Sequence, residues 1–269
     1  MIGFCGSGNM ARAIVTGLVA GGTVKPEEIV VSGTGGTAEA LAADTGAVAV
    51  SSNEELLEAI GPCGILILAV KPHIIPLVLD EIGEKVPSDV LVISIAAGTS
   101  LESLAARLPD GQRIIRVMPN VNAQIGAGMA GLCGNEYAGE EDLDQARTIF
   151  EAVGRAAVIE EGDFPAYSAL AGCSPAFVFE FIEALARGGL EAGLTKADAV
   201  EYAAQAVLGS AKMVLERAEE GMSPANLRDL VTSPGGTTIA GVAAMEQAGF
   251  GAAIVAGVRA AIERDGELG

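Results

Sequence analysis

The chain has 269 residues, of which 50% are hydrophobic, so it can bury one large core or two ordinary ones. Its formal net charge of −19 comes without a run of lysines or arginines, which excludes ordinary nucleic-acid binding because phosphates need clustered cations. The 4 cysteines lack metal-ligand spacing and predict reduced thiols and no metal site. Apolar runs are too short for a membrane span, and strand character begins at Ile2 rather than a signal peptide. We therefore expect a soluble, cytoplasmic protein.

The first part of the chain, up to residue 162, alternates short β-branched runs with helical stretches. This alternation predicts βαβ units and a mainly parallel sheet. The fourth run is apolar throughout, as expected of a strand covered on both faces. The predicted strands are Ile2–Cys5, Ile29–Ser32, Ala47–Val50, Ile65–Val70, Val90–Ile95 and Ile114–Met118, with weaker ones near Met129–Cys133 and Ala156–Ile159.

Beyond residue 162 the strand signal disappears, and the sequence predicts helices only. Ser174 followed by Pro175 has the form of an N-cap before a first-turn proline, and it predicts a helix through Leu190. Thr195 with Asp198 resembles a capping box, in which the side chains at the helix start bond to nearby backbone N–H groups.

The helix that Thr195 begins is expected to run to about Glu220 and to end at Gly221. Ser223–Pro224 predicts another short helix, and two more follow the loop at 233–236. The predicted fold is α/β, with a Rossmann-type dinucleotide-binding domain at 1–162 and an all-helical domain at 163–269.

A glycine pattern directly follows the first predicted strand. Gly6–Ala11 has the form G-x-G-x-x-A and opens an amphipathic helix. Gly6 allows a tight turn, Gly8 lets a pyrophosphate approach the backbone, and Ala11 lets the helix pack against the sheet. The helix N-terminus then directs unpaired N–H groups at the anion. The position between strand and helix predicts that the pyrophosphate of a dinucleotide binds here.

The end of the second predicted strand bears on the choice of cofactor. A carboxylate at this position accepts hydrogen bonds from the ribose hydroxyls of NAD. Here the strand ends in Ser32–Gly36, which contains no acid. The hydroxyls and amides of this loop favour NADP, while the lack of an arginine leaves NAD open.

Further motifs occur in a fixed order along the whole chain. They are Gly6–Met10, Ala69–Pro72, Ser94–Gly98, Arg116–Asn120 and Asp229–Ala240. Together they resemble the pyrroline-5-carboxylate reductase family, whose members carry out the last step of proline synthesis. The Ser-Pro-Gly-Gly-Thr-Thr segment is the most specific of them, because a generic Rossmann dehydrogenase does not need it.

The resemblance extends the cofactor site beyond the glycine loop. It implies that Asn53 contacts the adenosine ribose or its 2′-phosphate, and that residues after the later strands line the ribose and nicotinamide. The predicted cofactor-binding residues are Gly6, Ser7, Gly8, Asn9, Met10, Ser32, Asn53, Ala69, Val70, Lys71, Pro72, Ala96 and Asn120.

The resemblance also implies a substrate site late in the chain. Two glycines before two threonines at a helix start make a concavity of N–H donors and hydroxyls, which suits a carboxylate without an arginine. We expect Thr238 and Ser233 to act in catalysis, with the Thr238 hydroxyl bonded to the ring nitrogen of the imine. The predicted substrate-binding residues are Ser233, Gly235, Gly236, Thr237 and Thr238.

Two segments depart from the family pattern. Gly172–Phe177 replaces Gly-Ser-Gly-Pro-Ala-Tyr, and Met118–Asn122 replaces Met-Pro-Asn-Thr-Pro. The first removes hydroxyls expected from serine and tyrosine and leaves a related cyclic imine open as substrate. His73, the single histidine, lies just after a strand end and is interpreted as a loop residue near the cofactor, whereas Lys71 is a second cationic candidate.

The helical domain carries apolar faces that a small domain cannot bury alone, so some packing partner is expected. The resemblance implies a homodimer through these helices, which can build into larger rings. Two other classes of protein remain. One is a β-hydroxyacid-dehydrogenase-like oxidoreductase, which requires a helical lysine in a Gly-x-x-x-Lys pattern; neither Lys196 nor Lys212 has this pattern. The other is a non-catalytic protein that senses dinucleotides.

Overall fold

The computed structural model describes residues 1–268 and divides into two compact units. The first unit comprises Met1–Gly172 with the end of the chain from Ala261, and the second comprises Cys173–Ala260. The boundary predicted at residue 162 remains a prediction, because these units are defined by packing alone.

The first unit contains one sheet of eight strands in the order β3-β2-β1-β4-β5-β6-β7-β8. The first six strands in this order are parallel, β7 is antiparallel to β6, and β8 is parallel to β7. The order of those six is that of doubly wound dinucleotide-binding folds. The strands are β1 (Ile2–Cys5), β2 (Ile29–Ser32), β3 (Val48–Ala49), β4 (Ile65–Leu68), β5 (Leu91–Ser94), β6 (Ile114–Met118), β7 (Gly128–Gly134) and β8 (Gly154–Val158).

All eight predicted strands are confirmed, with boundaries within two residues of the predicted ones, and the C-terminal end of β4 differs most. The prediction carried β4 to Val70, but the strand ends at Leu68. The Ala69 N–H still bonds to the Cys5 carbonyl at 2.8 Å. The chain then turns into a 3-10 segment that begins at Pro72, which has no N–H to offer a ladder.

Helices cover both faces of the sheet, so its central strands are buried on both sides. Phe4 and Ile67 face one core with the helix Asn9–Ala20, whereas Leu66 and Leu68 face the other with the helices Asn53–Ile60 and Ile75–Ile82. This burial explains why these strands are apolar at every position. The helices of this unit are α1 (Asn9–Ala20), α2 (Thr37–Thr45), α3 (Asn53–Ile60), α4 (Ile75–Ile82), α5 (Leu101–Ala105), α6 (Glu140–Glu151) and α7 (Phe164–Tyr167).

The second unit is helical, as the sequence predicted. Its first two helices pack closely, since a Cβ on Gly189 would lie 3.1 Å from the Ala199 Cβ. The helices are α8 (Ser174–Glu191), α9 (Lys196–Arg217), α10 (Pro224–Val231), α11 (Thr237–Gln247) and α12 (Phe250–Leu268), the last of which extends beyond this unit.

The predicted helix starts are confirmed with one exception. Thr195 caps α9 by accepting from the Asp198 N–H at 3.2 Å, and Ser223 caps α10 by accepting from the Asn226 N–H at 3.2 Å. The prediction of Ser174 as an N-cap is wrong. A π-helical turn over Ser168–Cys173 leads into α8, so the backbone is already helical before Ser174 and no capping side chain is required.

One stretch within residues 1–268, Glu161–Glu191, is long and apolar enough to cross a membrane by length and composition alone. The pair α11 and α12 meets the same criterion only if the two are counted as one helix with a 51° bend. Such helices also occur where an apolar face packs against protein.

Candidate active site

The predicted cofactor residues of the first unit follow the carboxyl ends of parallel strands. Gly6 follows β1, Ser32 ends β2, Ala69 follows β4 and Ala96 lies two residues beyond β5. Because these strands are parallel, the residues share one edge of the sheet. This edge is where doubly wound folds bind dinucleotides.

Gly6 makes the tight turn out of β1. Its φ is +104°, and an added Cβ would lie 2.6 Å from the Ala69 carbonyl oxygen. Its N–H bonds to the Ser32 carbonyl at 3.0 Å. Glycine is therefore required here by the contact between β1 and its two neighbouring strands.

Gly8 has the opposite surroundings. It is the N-cap of α1 with an ordinary φ of −73°, and no side-chain hydrogen bond caps the helix. An added Cβ would meet nothing within 4 Å. The first-turn N–H groups of α1, at Asn9 and Met10, have no acceptor within the helix and so face an open anion-binding position.

Ser7 and the loop after β2 are joined by side-chain contacts. The buried Ser7 hydroxyl lies 2.6 Å from the Thr37 hydroxyl, which donates to the Thr34 carbonyl at 2.9 Å. Gly33 makes this approach possible, because a Cβ there would lie 2.0 Å from the Ser7 Oγ. The glycine loop after β1 is thus held by hydrogen bonds to the loop after β2, which is expected to contact the ribose.

Asn53 opens α3 and bonds to three other elements. Its Oδ1 accepts from the Ser32 hydroxyl at 2.8 Å and from the Cys5 thiol at 3.2 Å. Its Nδ2 donates to the Glu81 carboxylate at 3.0 Å. The half-buried Asn53 amide therefore lies between Ser32, at the end of β2, and Glu81 on α4.

Cys5 and Ser32 are the buried members of this group. Burial raises the pKa of the Cys5 thiol from 9.0 to about 12; the Ser32 hydroxyl opposes the rise, and the Glu81 charge adds to it. The thiol stays protonated and acts as a donor to Asn53. Neither Cys5 nor Glu81 was singled out by the sequence, since nothing near them in the chain indicates this contact.

The remaining predicted cofactor residues are spread along the same edge. Lys71 and Pro72 are exposed, Val70 is half-buried, and the buried Ala96 donates its N–H to the Ser94 hydroxyl at 3.3 Å. His73 is exposed on the 3-10 turn after Pro72.

Asn120 follows β6 and braces its surroundings. Its Nδ2 donates to the Ala171 carbonyl at 2.8 Å, and its Oδ1 accepts from the Met129 N–H at 3.2 Å. The amide thus ties β7 to the π-helical turn, and its contact with a nicotinamide stays a prediction.

The predicted substrate residues lie in the second unit, immediately before and within the first turn of α11. The Gly236 N–H bonds to the Ser233 carbonyl at 3.0 Å, which closes a turn with Pro234 second and Gly235 third. Gly235 has a φ of +71°, as the third position of a type II turn requires. A Cβ on Gly236 would lie 2.5 Å from the Ser233 Oγ, so the hydroxyl sits over the helix start.

The first turn of α11 presents donors to solvent. Gly236 is its N-cap without a side-chain capping bond, and Thr237 and Thr238 are exposed. Free N–H groups, the helix dipole and three hydroxyls, including that of Ser233, together suit a carboxylate.

The first unit fits a dinucleotide on its own geometry. The open side of Gly8, the free N–H groups of α1 and the hydroxyl-rich end of β2 match the pyrophosphate and ribose of such a cofactor. The fold and these residues define the chain as a Rossmann-type dinucleotide-binding protein.

Comparison with known proteins specifies the class further. Residues 161–268 match the family model "Pyrroline-5-carboxylate reductase dimerisation", and residues 1–98 match "NADP oxidoreductase coenzyme F420-dependent". The chain is 41% identical to pyrroline-5-carboxylate reductase of Methanosarcina acetivorans, covering 100% of this chain and 97% of the relative. It is 42% identical to the enzyme of Escherichia coli, covering 99% and 97%.

Solved structures agree with the sequence comparison. A pyrroline-5-carboxylate reductase from Coxiella burnetii superposes with a TM-score of 0.91 at 34% identity, covering 99% of this chain and 97% of the other. The Plasmodium falciparum enzyme with NADP bound superposes at 0.86 and 30% identity, covering 100% and 97%. The chain belongs to the pyrroline-5-carboxylate reductase family.

Proposed function

We propose that this chain reduces 1-pyrroline-5-carboxylate to L-proline with a reduced nicotinamide dinucleotide, as the last step of proline synthesis. The observation that carries the proposal is the closed turn Ser233–Gly236 before two exposed threonines at the start of α11. It provides a carboxylate site in a chain that also has a dinucleotide site and belongs to this family.

The substrate carboxylate binds at the start of α11 in this proposal. The N–H groups of Thr237 and Thr238 point out of the first helical turn and donate to the anion, whereas the Gly236 N–H is used to close the turn. Ser233 adds its hydroxyl, which the turn holds over the same position. Gly235 supplies the positive φ that closes the turn.

Reduction of the imine needs little acid–base machinery from the protein. The protonated C=N bond is already electrophilic, so positioning its carbon against the nicotinamide provides much of the rate. When bound, the reduced nicotinamide supplies the hydride that the imine carbon accepts. Thr238 bonds to the ring nitrogen through its hydroxyl and orients it, and Ser233 assists as the second catalytic hydroxyl.

The nucleotide is held by the sheet edge of the first unit. Gly6, Gly8 and the start of α1 hold the pyrophosphate, and Ser32 with Asn53 faces the adenosine ribose. Ala69–Pro72, Ala96 and Asn120 line the path to the nicotinamide. The acid-free segment Ser32–Gly36 supports a preference for NADPH over NADH.

The active protein is proposed to be a cytoplasmic homodimer formed through the helical domain, which extends to larger rings. The family match to a dimerisation model over residues 161–268 supports the dimer. In the dimer, the segment at 233–238 of one protomer completes a site beside the cofactor of its partner.

The proposal is tested by following the absorbance of NADPH, and separately of NADH, when 1-pyrroline-5-carboxylate is added to the purified protein. We expect oxidation of both, faster with NADPH, with L-proline as the product. The six-membered cyclic imine carboxylate serves as a second substrate, because Cys173 and Phe177 depart from the family pattern. Oxidation with neither ring and neither nucleotide would refute the proposal.

A further inference from the structure

The end of β2 contains no acid in the sequence, yet the fold brings one close to it. Glu81, on α4, accepts a hydrogen bond from the Asn53 Nδ2 at 3.0 Å. The same amide accepts from the Ser32 hydroxyl at 2.8 Å through its Oδ1. The Glu81 carboxylate is therefore separated from Ser32 by a single asparagine side chain.

Glu81 fixes which way the Asn53 amide points. The ionised carboxylate only accepts hydrogen bonds, so it selects the Nδ2 end. The hydroxyl of Ser32 and the thiol of Cys5 then donate to Oδ1. With the amide reversed, its oxygen would face the carboxylate and the thiol would lose its acceptor. Ser32 is 2% exposed, and its hydroxyl donates to Asn53, so it has no proton left to donate to a phosphate oxygen.

The occupied Ser32 proton and the nearby negative charge of Glu81 both disfavour a phosphate at the end of β2. Among residues 1–268, no lysine or arginine donates a hydrogen bond to the segment 32–37. Lys85, on the turn after α4, is paired with Glu54. Its pKa is raised by Glu54 first and also by Glu81, which places Lys85 within the field of both carboxylates.

We propose that Glu81 is a positioning and specificity-determining residue that restrains binding of the nucleotide 2′-phosphate. It orients Asn53 and places a negative charge behind the Ser32 hydroxyl. Glu81 therefore disfavours nucleotides that carry the phosphate, relative to those with a free 2′-hydroxyl. This inference rests on the proposed function only in placing the adenosine ribose at the end of β2. The Glu81 carboxylate therefore reduces the difference in affinity between NADPH and NADH.

The test uses two probes that represent the adenosine half of the cofactor, adenosine 2′,5′-bisphosphate and adenosine 5′-monophosphate. Their dissociation constants are measured by isothermal titration calorimetry at low salt on the whole protein. Glu81→Gln keeps an acceptor for Asn53 and removes the charge. We expect this variant to lower the dissociation constant of the bisphosphate about threefold or more. The dissociation constant of the monophosphate should change by less than about twofold. The effect is modest because Glu81 is exposed and its charge is partly screened.

The matched control is Glu84→Gln, which makes the same charge change on the exposed turn after α4, where Glu84 does not contact Asn53. It should leave both dissociation constants unchanged. Lys85→Gln gives a shift of opposite sign, because it leaves the carboxylates of Glu54 and Glu81 uncompensated and weakens the bisphosphate selectively. This variant keeps the test decisive if Glu81→Gln lowers the melting temperature.

The ratio of the two dissociation constants decides the outcome. An unchanged ratio in Glu81→Gln, or a ratio that Glu84→Gln shifts equally, would overturn the proposal. A wild-type protein that binds neither probe would instead refute the dinucleotide site. Probe binding without imine reduction would refute only the proposed activity.

Discussion

We expect the two glycines of the first loop to have different roles, one in folding and the other in ligand binding. Gly6 and Gly8 belong to one glycine pattern but have opposite surroundings: the Cβ position of Gly6 is filled by Ala69, and that of Gly8 is open. We expect Gly6→Ala to lower the free energy of unfolding by about 1–3 kcal/mol, because the positive φ and the contact both strain an alanine.

Gly8→Ala is the matched comparison for that variant. It should leave the melting temperature nearly unchanged and raise the dissociation constants of both nucleotides, because its methyl group enters the space meant for the pyrophosphate. Thermal unfolding and nucleotide titration of the two variants measure these effects. Equal loss of stability in both variants would contradict the assignment.

The Thr238 hydroxyl is expected to act on the substrate alone. Thr238→Ala should lower kcat/KM by about tenfold, the size of one lost hydrogen bond in the transition state, without changing nucleotide affinity. Thr238→Ser retains the hydroxyl and should recover most of the rate. Steady-state kinetics of both variants test the assignment, and a fully active Thr238→Ala would remove it.

The buried thiol of Cys5 predicts a pH dependence of stability. The folded pKa of about 12 lies above the ordinary 9.0, so above pH 9 the unfolded chain releases a proton that the folded protein keeps. The contribution of this thiol is complete below pH 9 and falls by about 1.4 kcal/mol for each pH unit above it. From about pH 8 to about pH 10, the free energy of unfolding of the wild type, measured by denaturant titration, should fall more steeply than that of Cys5→Ala. Parallel pH profiles would count against this origin.

At the scale of elements, the turn before α11 links backbone geometry to substrate binding. Gly235 has a φ of +71°, which alanine adopts only with strain. Gly235→Ala should therefore raise KM for the imine severalfold, as the N–H groups at the helix start lose their alignment. Gly235→Asn is the control, since asparagine tolerates this conformation and should retain most of the affinity. Equal KM values for the two variants would contradict this explanation.

The elements were largely predictable from the sequence because their signals are local. Apolar runs marked the strands, and Thr195 and Ser223 marked helix starts through bonds to residues three positions away. Ser174 misled the prediction because a π-helical turn already leads into α8, which a local capping signal does not reveal. The same limit applies to the site: Gly6 and Gly8 are visible in sequence, whereas Glu81 reaches Asn53 only through the packing of α4 beside α3.

At the scale of the whole molecule, the helical unit presents large apolar side chains that suit a subunit interface. Leu208 on α9 is 61% exposed in the single chain. In a dimer formed through these helices we expect Leu208→Glu to convert the protein to a monomer, because a buried unpaired charge opposes association. Sedimentation equilibrium measures the effect.

Leu77 provides the matched control for that substitution. It lies on α4 in the other unit and is 64% exposed, so Leu77→Glu introduces the same charge at a similarly accessible position. This variant should sediment like the wild type. A wild-type chain that is itself monomeric, or a Leu208→Glu variant that remains dimeric, would contradict an interface that includes α9.

The two glycines of the first loop also predict how this family tolerates random mutation. A library selected only for soluble expression should keep glycine at position 6 and accept other small residues at position 8. A library selected for growth without proline should keep glycine at both. A comparison of the two selections would show which glycine of the loop is required for folding and which is required for ligand binding.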